Sequence, residues 1–260
     1  MSLRSCHAAM LLVLLLFSAG DVQSAGPLPA GWAEILVDTA QLAEPGERVV
    51  RLSEPFLGVP YQAGTLTGGP DIPEELVVTL DAVDCFTFLD YVEALRRSHN
   101  PGEFRSRLVE VRYRDGIVAW DHRRHFFTDW AATSGDRVVD VTVEIGGNRT
   151  EQATKTLNRK ADGTFYLAGV PVQVRVVRFL PAAVLDDKIL GRLRTGDYLG
   201  IYTPEAGLDV THVGIAIRRA GQLFLRHASS RSDSGRVVDS DLRSYLAGKP
   251  GLVVLRPVGP

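Results

Sequence analysis

Cys85 and His212 are the residues of this chain whose types could do chemistry together. Cys85 opens CFTFLDYVEALRRS, in which Phe88, Tyr91, Val92 and Leu95 recur at three- and four-residue spacing and predict a helix. Asp84 before it is an N-cap residue type, and Asn100-Pro101-Gly102 ends the run. A cysteine at the first position of a helix meets unpaired backbone N–H groups and the positive end of the helix dipole, and both favour thiolate. The Asp84 carboxylate opposes that, so the helix alone does not make the sulfur reactive. A histidine able to take its proton would.

Beyond the N-terminal stretch the histidines are His99, His122, His125, His212 and His227. His212 lies in THVGIAI and His227 in FLRHASS, two alternating runs joined through Ala220-Gly221, a tight-turn pair. Neighbouring antiparallel strands can bring two such side chains within hydrogen-bond reach. One imidazole would then act as general base and the second would orient it through its other nitrogen. A lone strand histidine is ordinarily a surface or hydrogen-bonded residue. Here a cysteine at a helix start and two histidines on a later hairpin point jointly to nucleophilic acyl transfer, which requires no metal and no cofactor.

DHRRHFFTDW concentrates charge and aromatic surface. His122, His125 and Asp129 have no spacing that matches a zinc signature. A binding wall fits better, with Trp120 or Trp130 as an apolar face and Arg124 as a carboxylate fork, so Arg124 and His125 are expected to line the cleft. Asp209, just before the His212 strand, either meets substrate or shapes its turn.

Elements must bring these residues together. Gly31 to Leu42 has helical spacing, with a second short helix reaching Ser53, and the Gly- and Pro-rich segment Pro55 to Glu75 reads as an irregular loop. VEVRYR, VVDVTVEI and VQVRVVRF alternate as half-buried strands do, while Asn148 to Phe165 is polar and reads as exposed. The last quarter runs PAAVLDDKIL (helix), RTGDYLGIYT, DVTHVGIAIRR and QLFLRHASS (strands), DLRSYLAG (helix) and LVVLRPV (strand). Helices first and an antiparallel sheet later give an α+β class.

Residues 1–24 read as a secretory signal peptide: Arg4 and His7, an apolar run from Ala8 to Phe17, then small and polar residues with cleavage after Ser24. The run is too short to span a bilayer, and Cys6 precedes it, which does not fit a lipoprotein. Cys6 leaves with that segment, so Cys85 is the one thiol of the exported chain. Residues 25–260 are 45% hydrophobic by the whole-chain figure and are expected to form one domain. A net charge of −2 with scattered basic residues gives no nucleic-acid stripe, and no stable membrane insertion is expected.

In GVPYQAG, DCFTF, RTGDYLGIYT, THVGIAI and HAS the chain resembles the NlpC-type papain-like cysteine peptidases that cut bacterial peptidoglycan. FLGVPY, VDCFTFLDYVEALRRS, VRYRDG, RRHFFTDW, GLDVTHVGIA and LRHASS bring it nearest to the N-acetylmuramoyl-L-alanine amidase-like branch. The resemblance implies a papain-like fold, with the Cys85 helix packed on the C-terminal sheet. It also implies Cys85 as nucleophile, His212 as base, His227 as its orienter, Tyr61 near the oxyanion, and Asp84 as N-cap or partner of a substrate amine. Peptidoglycan or its muropeptides would be the substrate, cut in the periplasm or outside a bacterial cell. Rival readings are a papain-fold acyltransferase or effector hydrolase on another substrate, and a peptidoglycan-binding module without turnover. Substrate assays and a thiol-directed probe separate them.

Overall fold

The local rules that predict the cysteine helix also build its neighbours. The computed structural model describes residues 28, 31–133, 135 and 137–259. The signal-peptide reading and Cys6 lie outside the described residues. Helix α1 (Trp32–Thr39) is followed by α2 (Pro45–Ser53), which Pro45 opens at a first-turn position where a missing N–H costs nothing. After the long loop comes α3 (Cys85–Arg96), whose N-cap Asp84 forms a capping box with Thr87. Helix α4 (Phe104–Arg112) packs beside α3, and α5 (Asp129–Thr133) is a single short turn.

The sheet comprises β1 (Val138–Asp140), β2 (Glu151–Leu157), β3 (Gln173–Pro181), β4 (Tyr198–Tyr202), β5 (Val210–Arg219), β6 (Gln222–Ala228), β7 (Val237–Asp241) and β8 (Gly251–Pro257). Its order is β2-β3-β8-β4-β5-β6-β7, with β1 also on β8, and every pairing is antiparallel. Three short helices, α6 (Thr142–Gly146), α7 (Asp187–Leu190) and α8 (Leu242–Leu246), lie between strands. Ala220 and Gly221 both have positive φ (49° and 81°), the turn geometry that matches strand twist in a two-residue hairpin.

Period-two alternation sends neighbouring residues to opposite faces. Tyr198, Val213, Ile215, Val253 and Leu255 join the apolar cluster under α1–α5. Leu199, Ile201, Ala216, Leu252 and Val254 join a second cluster with Ile145, Ile189, Leu242 and Leu246. The sheet is thus covered on both sides, as the α+β class requires.

Two strand readings and one exposed-segment reading need correction. VEVRYR is the end of α4 and the turn after it: Phe104, Leu108 and Val111 are buried at helical spacing, and Arg112 is drawn in by Asp90 (2.8 Å). VVDVTVEI is strand only to Asp140, whose carboxylate accepts from the Thr142 N–H (2.9 Å) and starts α6. The polar stretch after Asn148 contains β2, fully paired with β3. Lys155 is buried there because its ammonium donates to the carbonyls of Thr203 (3.0 Å) and Glu205 (2.8 Å). The strand β7 carried no clear alternation in the sequence.

Candidate active site

Cys85 begins α3 because Asp84 stops the chain from being helical one residue earlier. Asp84 Oδ1 accepts from the N–H groups of Phe86 (2.9 Å) and Thr87 (2.7 Å) and from the Thr87 hydroxyl (2.9 Å). Its N-cap role is therefore filled. Most of α3 beyond the first turn is buried against α2, α4 and β5, which fixes the depth at which the sulfur emerges. Cys85 is half-buried and is a free thiol.

The imidazoles come from the sheet. His227 shares a face with Leu225, two residues before it on β6. The β5–β6 ladder runs from Arg219↔Gln222 to Ile215↔Arg226, and continuing that register puts Gly214 opposite His227. A side chain at Gly214 would meet the Arg226 carbonyl oxygen at 2.7 Å and His227 Cβ at 3.0 Å, so glycine leaves the room this imidazole needs. His212 is then the diagonal neighbour, and its Nε2 lies 2.8 Å from His227 Nδ1 with the rings at 88°. His227 Nε2 is 3.1 Å from Ser240 Oγ on β7.

Cys85 and His212 line one cleft of about 200 Å³ with Phe86, His125, Tyr166 and Leu167. Burial holds the Cys85 thiol up to about 12, with the Asp84 charge adding to the effect, while the backbone N–H groups of Val213, Cys85 and Phe86 pull the other way. His212 is pushed down to about 3 by burial first, then by His227 and the Lys249 charge. Burial lowers His227 to about 4 against the pull of Asp239. At neutral pH the site rests as a thiol and neutral imidazoles. Among the described residues His212 Nδ1 is the ring nitrogen left without a hydrogen-bond partner, so it is the one able to receive a proton.

The other expected site residues divide. Tyr61 bridges Val83 and, like Cys85, packs against the cluster under α1–α5; burial first, then the Cys85 and Asp84 charges, raises its hydroxyl, and it is not among the residues that line the cleft. His125 does line the cleft. Its Nε2 is 2.8 Å from the Trp120 carbonyl oxygen, and burial takes it down to about 4. It therefore stays neutral, donating from Nε2 and keeping a lone pair on Nδ1.

Arg124 is a correction. Its guanidinium is buried and donates to the carbonyls of Glu110 (2.7 Å), Val111 (2.9 Å) and Tyr113 (2.8 Å) and to Thr133, so it closes the C-terminus of α4 and no fork remains for a substrate. Asp209 lines the cleft floor, but its oxygens accept from Thr128 (N–H and hydroxyl, both 2.8 Å) and the Val210 N–H (2.8 Å), so it shapes the turn. His122 and Asp129 also go elsewhere, toward the Arg114 carbonyl and Arg175.

Two features had no signal in the sequence. Tyr245 on α8 packs against His227 (4.9 Å between ring centroids) and His212 (6.0 Å), and burial with the nearby Cys85 charge raises its hydroxyl to about 12. Asn158, in left-handed conformation (φ 74°), ties Leu167 and Val170 to itself through three hydrogen bonds, which holds the Tyr166–Leu167 wall of the cleft. An asparagine tolerates that conformation better than most residues.

The model of a family described as N-acetylmuramoyl-L-alanine amidase-like matches residues 51–252. An N-acetylmuramoyl-L-alanine amidase from Bacteroides uniformis is 31% identical, with a TM-score of 0.69 over 83% of this chain and 99% of its own. A Legionella pneumophila protein is 22% identical with a TM-score of 0.73 over 88% of this chain and 93% of its own, a likeness of fold. No curated protein matches the sequence.

Proposed function

This chain belongs to the N-acetylmuramoyl-L-alanine amidase-like family, and from that premise we propose that it is a cysteine amidohydrolase of bacterial peptidoglycan. The observation that carries the reading is the meeting of a helix-start thiol, Cys85, with His212 on one cleft, where His212 Nε2 is already 2.8 Å from His227. The bond cut is the amide joining N-acetylmuramic acid to L-alanine, or one within the stem peptide.

Cys85 is the nucleophile, His212 the general base and His227 its orienter. Because both partners rest neutral, proton transfer to His212 Nδ1 accompanies attack of sulfur on the amide carbonyl. The oxyanion is met by the Cys85 N–H at the start of α3 and by the Tyr61 hydroxyl. His212 returns the proton to the departing amine, and water then hydrolyses the thioester through the same base. The cleft wall suits an uncharged group with a donor: His125 offers a lone pair, and the Asp209 carboxylate is already satisfied.

Residues 1–24 direct export, to the periplasm or the outside of the cell, and the remainder acts as a single catalytic domain. Digestion of peptidoglycan and isolated muropeptides by the wild type and by Cys85→Ala, read by mass spectrometry, tests the proposal. Release of intact stem peptides by the wild type alone selects the amidase, and shorter peptides select an endopeptidase. Equal product patterns from both proteins would sink the reading.

A further inference from the structure

Ser240 extends the histidine pair by one side chain. On β7 it stands two residues beyond Val238, the residue paired with His227. The line runs from His212 Nε2 to His227 Nδ1 (2.8 Å) and from His227 Nε2 to Ser240 Oγ (3.1 Å).

The direction of that line follows from valence. A protonated imidazole carries N–H on both nitrogens and can only donate. Once His212 has taken a proton, its Nε2–H must donate to a lone pair on His227 Nδ1. A neutral His227 then carries its own proton on Nε2, and that N–H needs an acceptor. Ser240 Oγ is the partner it has. A hydroxyl can also donate, but the reversed line exists only while both rings are neutral. It would put the His212 proton on Nδ1, the nitrogen that has to receive one.

We propose that Ser240 is a positioning residue: its Oγ accepts from His227 Nε2–H and so holds both imidazoles in the tautomer that leaves His212 Nδ1 open to the Cys85 proton. This rests on the assignment of Cys85 as nucleophile and His212 as base. In the step it serves, the S–H bond breaks as sulfur bonds to the carbonyl carbon, the proton passes to His212 Nδ1, and the carbonyl π pair moves to oxygen. Ser240 gains and loses nothing. Among the described residues the surroundings supply no stronger acceptor. Tyr245 packs on both rings, and Lys249 sits over the Tyr245 ring at 5.5 Å. The Asp239 carboxylate is held by Arg226 (2.8 and 2.9 Å) and Arg219 (2.7 Å).

The test uses the full protein with Ser240→Ala and Ser240→Thr. Removing the hydroxyl leaves a partly buried N–H unpaired when His212 is charged, so kcat on muropeptides is expected to fall about tenfold with KM unchanged. Threonine keeps the oxygen, suits a strand, and is expected to stay within about twofold of wild type. Nitrogen-15 imidazole spectra of the wild type should find both His212 and His227 protonated on Nε2. A His227 protonated on Nδ1, or a Ser240→Ala protein with wild-type kcat, overturns the proposal. If the wild type cuts no muropeptide, the functional reading fails separately. The spectra, and the rate of iodoacetamide alkylation of Cys85, still decide the role of Ser240: alkylation should drop about tenfold in the alanine variant and recover with threonine, and an unchanged rate counts against it.

Discussion

The face of the sheet under α1–α5 is packed with aromatic rings and buried ion pairs, and the face under α6–α8 with aliphatic side chains. On the first, Trp130 meets Tyr198 edge-on (5.2 Å), the Tyr198 hydroxyl donates to Glu93 (2.7 Å), Glu93 pairs with Arg96 (2.7 Å), and Asp90 pairs with Arg112 (2.8 Å). On the second, leucine, isoleucine and valine fill the cluster, and the Arg256–Asp197 pair is a polar exception nearby. Hydrogen bonds and ion pairs have direction, whereas apolar contacts are selective mainly for volume. The directional face holds the helix that presents the thiol. Leu225, on the aliphatic side, shares its face with His227. The two parts of the site meet where the β5–β6 ladder ends at Ile215↔Arg226.

The largest expected effect separates chemistry from packing. Cys85→Ala and His212→Ala should each lower turnover by about a thousandfold or more, and the double variant little further, while thermal unfolding moves by only a few degrees. Loss of folding in either variant would mean that the site, too, holds the sheet together.

Next comes the contrast between the faces. Asp90→Ala strands the Arg112 charge in the core and should cost about 3–5 kcal/mol in urea unfolding. Leu199→Ala on the aliphatic face should cost about 2–5 kcal/mol through its cavity. The two differ in repair: replacing both Asp90 and Arg112 by Leu and Met should recover much of the loss, because burial already disfavours the Asp90 carboxylate. If that double variant were no more stable than Asp90→Ala, the ion pair would be directing the fold and not only tolerated by it.

A smaller effect concerns pH. His212 and His227 fall from 6.5 to about 3 and about 4 on folding. Between those values and 6.5 the unfolded chain binds protons that the native chain refuses, so their contribution is full above about 6.5 and is lost as pH falls. A His212→Gln/His227→Gln protein should therefore lose less stability than wild type between pH 7 and pH 5. Equal losses would mean the pair is hydrated in solution. Smallest is Tyr245: Tyr245→Phe should stay within about twofold of wild-type kcat/KM because packing is kept, whereas Tyr245→Ala should lift the acid limb of the pH profile by uncovering the imidazoles.

Where local rules and tertiary packing agree, the sequence was readable. The Asp84 cap, the apolar stripe of α3 and the Ala220-Gly221 turn are set by nearest neighbours, so Cys85 and the two histidine strands stand where they were expected. Val109 to Arg114 alternates as a strand would, and it ends a helix instead because Asp90, on another helix, pulls Arg112 inward. Lys155 and Arg124 were misread for one reason: a long cationic side chain can be buried if distant backbone carbonyls receive it, and those carbonyls leave no mark in the sequence. Tyr245 and Ser240 join the site only because α8 and β7 fold beside β6.

The protonated resting state of Cys85 has a consequence for its lifetime. The thiolate is the form that attacks peroxide and foreign disulfides, and a thiol held up at about 12 offers very little of it at neutral pH. Cys85 has no second described cysteine with which to form a protective disulfide. The same burial that keeps the proton on sulfur therefore also slows its oxidation.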